Sequence, residues 1–323
     1  MADRDATALP QARTAETART NVSVGFTIHD LLPSWDRHLR SAGKAPRTRA
    51  DYLKAGRQLA DWLDAQGMPT DVTHITREHI EAFIVAELER TSASTAASAY
   101  RRIQQLFRWL TEDDEIPSDP MAKMKPPAVT ETPVPVISTD ELKALLEVCR
   151  GNGFVERRDT AIIRLMVDSG GRRSEIAGIR LEHIDWTEDL IRVFGKGRGG
   201  DRPRDIPFGA KTGQALDRYV RIRARHPSAH LPWLWLGAKG RFTGSGLAQM
   251  LTRRAEQAGI RHIHPHMFRH TFSHRWLASG GQEGDLMRIN GWSSRDMLDR
   301  YAKSAAEERA RKAHRELGLG DEL

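Results

Sequence analysis

Apolar residues recur along this chain at helical spacing from Thr27 to Leu110. Ile28, Leu31, Leu32 and Trp35 form one stripe. Tyr52, Leu59, Trp62 and Leu63 form a second, with Thr48 and Asp51 three apart as a capping box that would open it. Thr76 is placed to cap a third helix running through Ile80, Phe83, Ile84 and Leu88. Tyr100, Ile103, Leu106, Phe107 and Leu110 form a fourth at i, i+3, i+4 spacing. Four short helices predict a small bundle, with the aromatic stripes as its core rather than a ligand site.

The pattern then breaks. Pro117, Pro120, Pro126, Pro127, Pro133 and Pro135 crowd one stretch, which excludes helix and interior strand and predicts an extended linker. Helical spacing resumes at Ser138-Thr139-Asp140-Glu141, a capping box ahead of Leu142, Leu145 and Leu146. A helix through Ile162, Ile163, Leu165 and Met166 is stopped by Gly170-Gly171, and another starts at Arg172-Arg173-Ser174-Glu175. Alternating residues at Leu190–Phe194 and Asp205–Phe208 then flank a Gly-rich loop, 195–200, and predict a β-hairpin with a flexible basic tip. Helices return around Gln214–Arg225 and Leu247–Ala258, with the apolar run Trp233–Leu236 between them. The end of the chain, 305–317 above all, reads as charged, alanine-rich helix.

The fold class is therefore mainly α, with a small antiparallel hairpin or sheet. The domains are a flexible tail at 1–25, a helical domain at 26–118, a Pro-rich linker at 119–136 and a second domain at 137–323. Within the 323 residues no apolar run approaches the ~20 needed to cross a bilayer. The N-terminal MADRDATALP has neither a basic leader nor an apolar core, which predicts no secretion signal. One cysteine, Cys149, excludes an internal disulfide and a thiolate metal cluster. Together these predict a cytoplasmic protein with no membrane association.

Charge adds a partner class. The net charge is +7, and residues 128–323 hold +8 of it against −1 in 26–127. From Arg37 to Arg57 there are seven basic residues with only Asp51 opposing them, and Arg101, Arg102 and Arg108 add to one helix. A basic face suits a polyanion, nucleic acid first. It equally suits an ordinary solvated surface, and charge alone does not choose between them. Arg47, Arg49, Arg57, Arg101, Arg102, Lys123 and Arg198 are the candidates for DNA contact.

Chemistry enters at His266-Met267-Phe268-Arg269-His270-Thr271. A histidine and an arginine three apart share one side of a helix, so a proton carrier and a fixed cation face one target. A guanidinium fork suits a phosphate. Tyr301, 32 residues after Arg269, is a candidate nucleophile for it if the fold brings it near. Taken singly, Arg269 as a surface salt bridge and Tyr301 as a core aromatic beside Leu298 would be the simpler readings. His262, His264, His266 and His270 raise a metal site. Alternation suits a strand and i, i+4 a helix, so no single element serves all four, and there is no HExxH or cysteine pair. No metal is assigned. The loop 195–200 lacks the GxxxxGK[ST] pattern of a nucleotide cradle.

Four ordered stretches together carry a resemblance. Ser169-Gly170-Gly171-Arg172-Arg173-Ser174-Glu175-Ile176 resembles the first arginine motif of the tyrosine recombinases, the phage integrase family. Phe194-Gly195-Lys196-Gly197-Arg198 resembles its lysine-bearing hairpin, and His266 to Thr271 its second motif. Asn290-Gly291-Trp292-Ser293-Ser294 through Tyr301, nine positions after Trp292, resembles its third. The resemblance covers about 137 to 310; the bundle and linker resemble the family's SAM-like core-binding domain more loosely. Three positions depart from the pattern. Gly171 stands where leucine is common, Phe268 replaces a leucine, and Trp292 stands where many members have histidine.

The resemblance implies a site-specific recombinase or integrase that cuts and rejoins duplex DNA through a 3′-phosphotyrosyl bond, without ATP or metal. It implies Tyr301 as nucleophile and Arg172 and Arg269 as neutralisers of the phosphate, with Arg173 the fallback for Arg172. Trp292 becomes a third donor, His266 the proton carrier and Lys196 the proton source for the departing 5′ oxygen. Glu175 orients an arginine. The residue types suit the reaction, because phosphoryl transfer spreads charge over the phosphate oxygens and a phenol of reference pKa ~10 must lose its proton. The expected partners are double-stranded target sites, a homotetramer assembled on paired sites, and accessory DNA-bending or directionality proteins, with the protein nucleoid-associated. A type IB-like topoisomerase and a non-catalytic DNA-binding protein are the alternatives. The C-terminal helix either caps its own domain or packs into a neighbouring protomer.

Overall fold

The computed structural model describes residues 25–130, 135–197, 200–298 and 301, with 310, 311, 314, 315 and 318 towards the end. It separates after Thr130 into two compact units.

The first unit is a four-helix bundle: α1 Ile28–Ser41, α2 Pro46–Ala65, α3 Arg77–Arg90 and α4 Ala93–Glu112. Thr27 caps α1 with a full capping box, its hydroxyl accepting the Asp30 N–H while the Asp30 carboxylate accepts its own N–H at 3.0 Å. The expected Thr48–Asp51 box does not form. α2 opens two residues earlier at Pro46, whose fixed φ starts a helix without a side-chain cap, and Thr48 falls inside. Thr76 does precede α3, with the His79 ring accepting its N–H at 3.1 Å.

Ile80, Phe83 and Ile84 are buried, but Leu88 is exposed. Eight residues beyond Ile80 the helical surface has rotated by roughly 80°, which carries Leu88 off the core. The other stripes are buried much as their spacing predicts, and Trp35 stacks between Tyr52 at 5.9 Å and Trp109 at 6.3 Å. Met121 also enters this core, its N–H accepted by Asp119 at 2.7 Å. Part of the expected linker thus packs with the bundle, because one apolar side chain among prolines still gains by burial. Pro133 lies outside the described residues.

The second unit opens with α5 Thr139–Glu147 under the predicted Ser138–Glu141 box. α6 Phe154–Ser169 stops at Gly170, left-handed at φ 58°, and α7 Arg173–Ala177 follows. β1 Ile184–Asp185, β2 Leu190–Gly197 and β3 Gly200–Pro207 make an antiparallel sheet in that order. Its strands are longer than the apolar pattern suggested. Lys196 sits within β2 opposite Asp201, not on a loop, because ladder pairing continues through the glycines. Ile191, Val193 and Ile206 face the core and alternate with exposed Arg192, Phe194 and Asp205.

α8 Ala210–Arg223, the short pair β4 Leu236–Gly237 and β5 Gly240–Arg241, and α9 Gly244–Gln257 continue the chain. α10 Pro265–Ala278 and α11 Glu283–Asn290 complete the described elements. Trp235 is buried and donates its indole N–H to the Ile176 carbonyl at 2.8 Å, fixing α7 to the core. The terminal helix expected at 305–317 lies outside the described residues except at 310, 311, 314 and 315. No helix among the described residues is long and apolar enough to cross a membrane.

Candidate active site

The site gathers around the C-terminal end of α11. That helix ends at Gly291, left-handed at φ 60°, and its last carbonyls have no partner within the helix. Arg269 lies on α10, three residues after His266, and is buried. Its Nη1 donates to the Gly170 carbonyl at 3.1 Å and its Nη2 to the Asn290 carbonyl at 2.6 Å. The left-handed turn at Gly170 makes the first contact possible. A Cβ there would meet the Phe272 ring at 2.6 Å, so only glycine lets α6 end this close to α10.

Arg172 stands at the N-cap of α7. Its backbone N–H donates to Glu175 Oε2 at 2.8 Å, its Nη1 to Glu175 Oε1 at 2.8 Å and its Nη2 to the Gly291 carbonyl at 3.3 Å. Glu175 is fully enclosed and takes a second guanidinium, Arg204 of β3, at 2.6 Å. Burial pushes the Glu175 pKa up, but the charge of Arg204 and the hydrogen bonds from Arg172 outweigh it and hold the carboxyl below its ordinary value. Arg173 is exposed. Gly171 is buried where a Cβ would meet Ile176 at 2.6 Å, so Ile176 fills the space a larger residue would take.

Burial, and then the neighbouring Arg172 and Arg204, pull the Arg269 guanidinium down to about 9. It stays charged at neutral pH. His266 is exposed at the rim. Even so, the protein wall beneath it, and then the charges of Arg269, Arg173 and Arg172, hold its pKa below the usual histidine value. It is therefore neutral at pH 7, the form that accepts a proton.

Trp292 follows Gly291. Its ring stacks on Tyr301 at 5.2 Å and 12°, the Arg269 guanidinium lies 5.3 Å from its ring centre, and its buried Nε1 has no hydrogen-bond partner among the described residues. Tyr301 is buried, and its hydroxyl lies 2.5 Å from His270 Nδ1. His270 stacks with His266 at 6.1 Å on the same face of α10. Asn290 donates to Ser273 Oγ at 2.9 Å, and Ser273 to the Arg269 carbonyl at 2.9 Å, which locks α11 to α10.

Arg172, Glu175, His266, Arg269, Trp292 and Tyr301 are thus assembled in one unit. The side chain of Lys196 and the whole of Arg198 lie outside the described residues. Three members of the assembly were given no role at the site from sequence: His270, Arg204 and Asn290. His270 had a signal, since it lies four residues after His266 and therefore on its face. Arg204 had none, being one arginine in a strand. In the first unit Arg47, Arg57, Arg101 and Lys123 are exposed and Arg102 is half-buried. Arg49 is half-buried in an ion pair with Asp36 at 3.1 Å.

Residues 135–308 match the model of the phage integrase family, and residues 31–116 that of its N-terminal SAM-like domain. The chain belongs to the phage integrase family. It is 31% identical over 260 residues to the tyrosine recombinase XerC of Stutzerimonas stutzeri, covering 75% of this chain and 85% of the relative. Against the tyrosine recombinase XerD of Corynebacterium glutamicum it is 28% identical, covering 82% and 90%.

Its fold matches the Tn1549 transposon integrase in complex with transposon right end DNA, with a TM-score of 0.71 at 20% identity, over 90% of this chain and 99% of that one. A lambda integrase dimer bound to a COC′ core site matches with a TM-score of 0.68 at 15% identity, over 86% and 95%. As a phage integrase family enzyme of the tyrosine recombinase type, the chain cuts and rejoins DNA at specific sites, and DNA is its partner.

Proposed function

We propose that Tyr301 is the nucleophile and that the end of α11 is the seat of the scissile phosphate. What carries this reading is the convergence of Arg269, Arg172 and Tyr301 on three consecutive residues, Asn290, Gly291 and Trp292. Arg172 and Arg269 are held by carbonyls rather than carboxylates alone, so they retain net positive charge for a phosphate. The orphan N–H of Trp292 is a buried donor that a phosphate oxygen would satisfy.

In cleavage the Tyr301 oxygen forms a bond to phosphorus and the bond from phosphorus to the 5′ oxygen breaks. The result is a 3′-phosphotyrosyl ester and a free 5′ hydroxyl. The phenol proton leaves to His266, neutral and facing the guanidinium pair, while His270 holds the tyrosine hydroxyl beforehand. Lys196 supplies the proton to the 5′ oxygen, as its motif implies. The ester conserves the bond energy, so attack by a 5′ hydroxyl reverses the step. Four protomers on two paired sites exchange strands in two such steps, assisted where needed by accessory DNA-bending proteins, in the nucleoid.

The test is covalent capture. The protein and Tyr301→Phe are incubated with fragmented DNA and a short-site library, denatured, and the protein-bound DNA recovered. Linkage at one recurring sequence with the parent, and none with Tyr301→Phe despite retained binding, is expected. Linkage surviving in Tyr301→Phe would remove Tyr301 as the nucleophile.

A further inference from the structure

Arg204 belongs to none of the four motifs, yet it touches two pieces of the site. It lies on β3 opposite the buried Val193, so it faces inward, and its side chain is 12% exposed. Its Nη2 donates to Glu175 at 2.6 Å, and its Nη1 donates to the Ile289 carbonyl. The end of α11 then shows a repeated arrangement. Three consecutive carbonyls each receive a different arginine: Ile289 takes Arg204 from β3, Asn290 takes Arg269 from α10, and Gly291 takes Arg172 from the turn before α7. A helix C-terminus carries unpaired carbonyls and partial negative charge, which suits guanidiniums.

Two guanidiniums, Arg172 and Arg204, share one buried carboxylate here, and Arg172 alone would neutralise it. Arg204 adds repulsion, and its buried Nε has no hydrogen-bond partner among the described residues. Removing one member of a buried ion pair costs most when it strands the other charge, and Glu175 keeps Arg172 at 2.8 Å when Arg204 is removed. Stability is therefore a poor account of why the contact is built.

We propose that Arg204 is a positioning residue for DNA cleavage. It holds the second oxygen of Glu175 and the end of α11 together, so that Arg172, Arg269 and Trp292 meet the phosphate at fixed spacing. The same side chain ties the strand pair that carries Lys196 to that clamp. This rests on the reading that Arg172 and Arg269 bind the scissile phosphate.

The experiment uses full-length protein and the DNA recovered by covalent capture, in two versions. One carries the natural phosphodiester. The other carries a methylphosphonate at the scissile position, which lacks the charge the guanidiniums neutralise. Arg204→Met is expected to cut the natural DNA on the order of 10–100-fold more slowly, as a displacement near 1 Å does. DNA affinity and melting temperature should stay close to the parent. On the methylphosphonate the defect should shrink to a few-fold, because the clamp then has less charge to meet. Arg204→Lys should recover part of the rate.

Equal defects on both substrates, or a natural rate within twofold of the parent, would overturn the proposal. If Arg204→Met melts markedly lower, the same ratio is read with Arg204→Lys, which keeps the charge. Arg269→Ala separates the two levels. If it cleaves normally, the phosphate-clamp reading fails. If it is dead while Arg204→Met is unimpaired, only the present inference fails.

Discussion

On the N-terminal bundle Arg47 pairs with Asp51 at 3.4 Å while its side chain stays 84% exposed. In the C-terminal unit Arg269 is 4% exposed and held by two backbone carbonyls. Both are cations suited to a phosphate, but they are held for different work. An exposed arginine in a helix-surface pair is mobile and screened, and contributes attraction that depends on salt and little on geometry. An arginine fixed at both ends by carbonyls has lost its freedom before the phosphate arrives, so its charge acts at one place. The difference teaches where a substitution should change affinity and where it should change rate.

The largest effect should come from Arg269→Ala, which removes a preorganised donor. We expect covalent complex formation to fall by about 10²–10³ while DNA affinity changes far less. A loss mainly of affinity would make Arg269 a surface-type contact and dissolve the contrast.

Next is the pH dependence of cleavage. His266 has its pKa lowered by the protein wall beneath it and by the charges of Arg269, Arg173 and Arg172, so its neutral, proton-accepting form persists below the ordinary histidine range. Activity should hold as pH falls through about 6.5 and decline only below it. His266→Asn should abolish that acid limb along with most of the rate, and His270→Asn should leave the limb in place. A limb that follows His270 instead would exchange the roles of the two histidines.

The smallest effects belong to the bundle. Arg57→Ala or Arg101→Ala should weaken binding to all sequences alike and lower the salt slope by ~1, with cleavage of bound DNA unchanged. Arg49→Ala should do less, because Asp36 already holds that guanidinium at 3.1 Å. A sequence-selective loss at Arg57 would mean that it reads bases.

The helices of both units were legible because their cause is local. Contacts three and four residues apart produce the stripes at Ile28–Trp35 and Tyr100–Leu110, and a serine and a glutamate three apart produce the cap at Ser138. The errors are local as well. Pro46 pre-empted the Thr48 cap, Leu88 rotated off the core, and strand pairing ran on through Gly195 and Gly197 where glycine content suggested a loop.

The resemblance of four ordered motifs to those of the tyrosine recombinases singled out Arg172, Glu175, His266, Arg269, Trp292 and Tyr301, residue types that suit a reaction at phosphorus. Only the tertiary structure placed Arg172 on Glu175 and Gly291 and left Arg173 exposed. Only it brought His270 to the Tyr301 hydroxyl, and it alone brought Arg204 to Ile289, 85 residues further along the chain. The physical reason is that these partners are largely backbone carbonyls at a helix end. Every residue has a carbonyl, so no side-chain pattern marks which ones the folded chain will leave unpaired and present to an arginine.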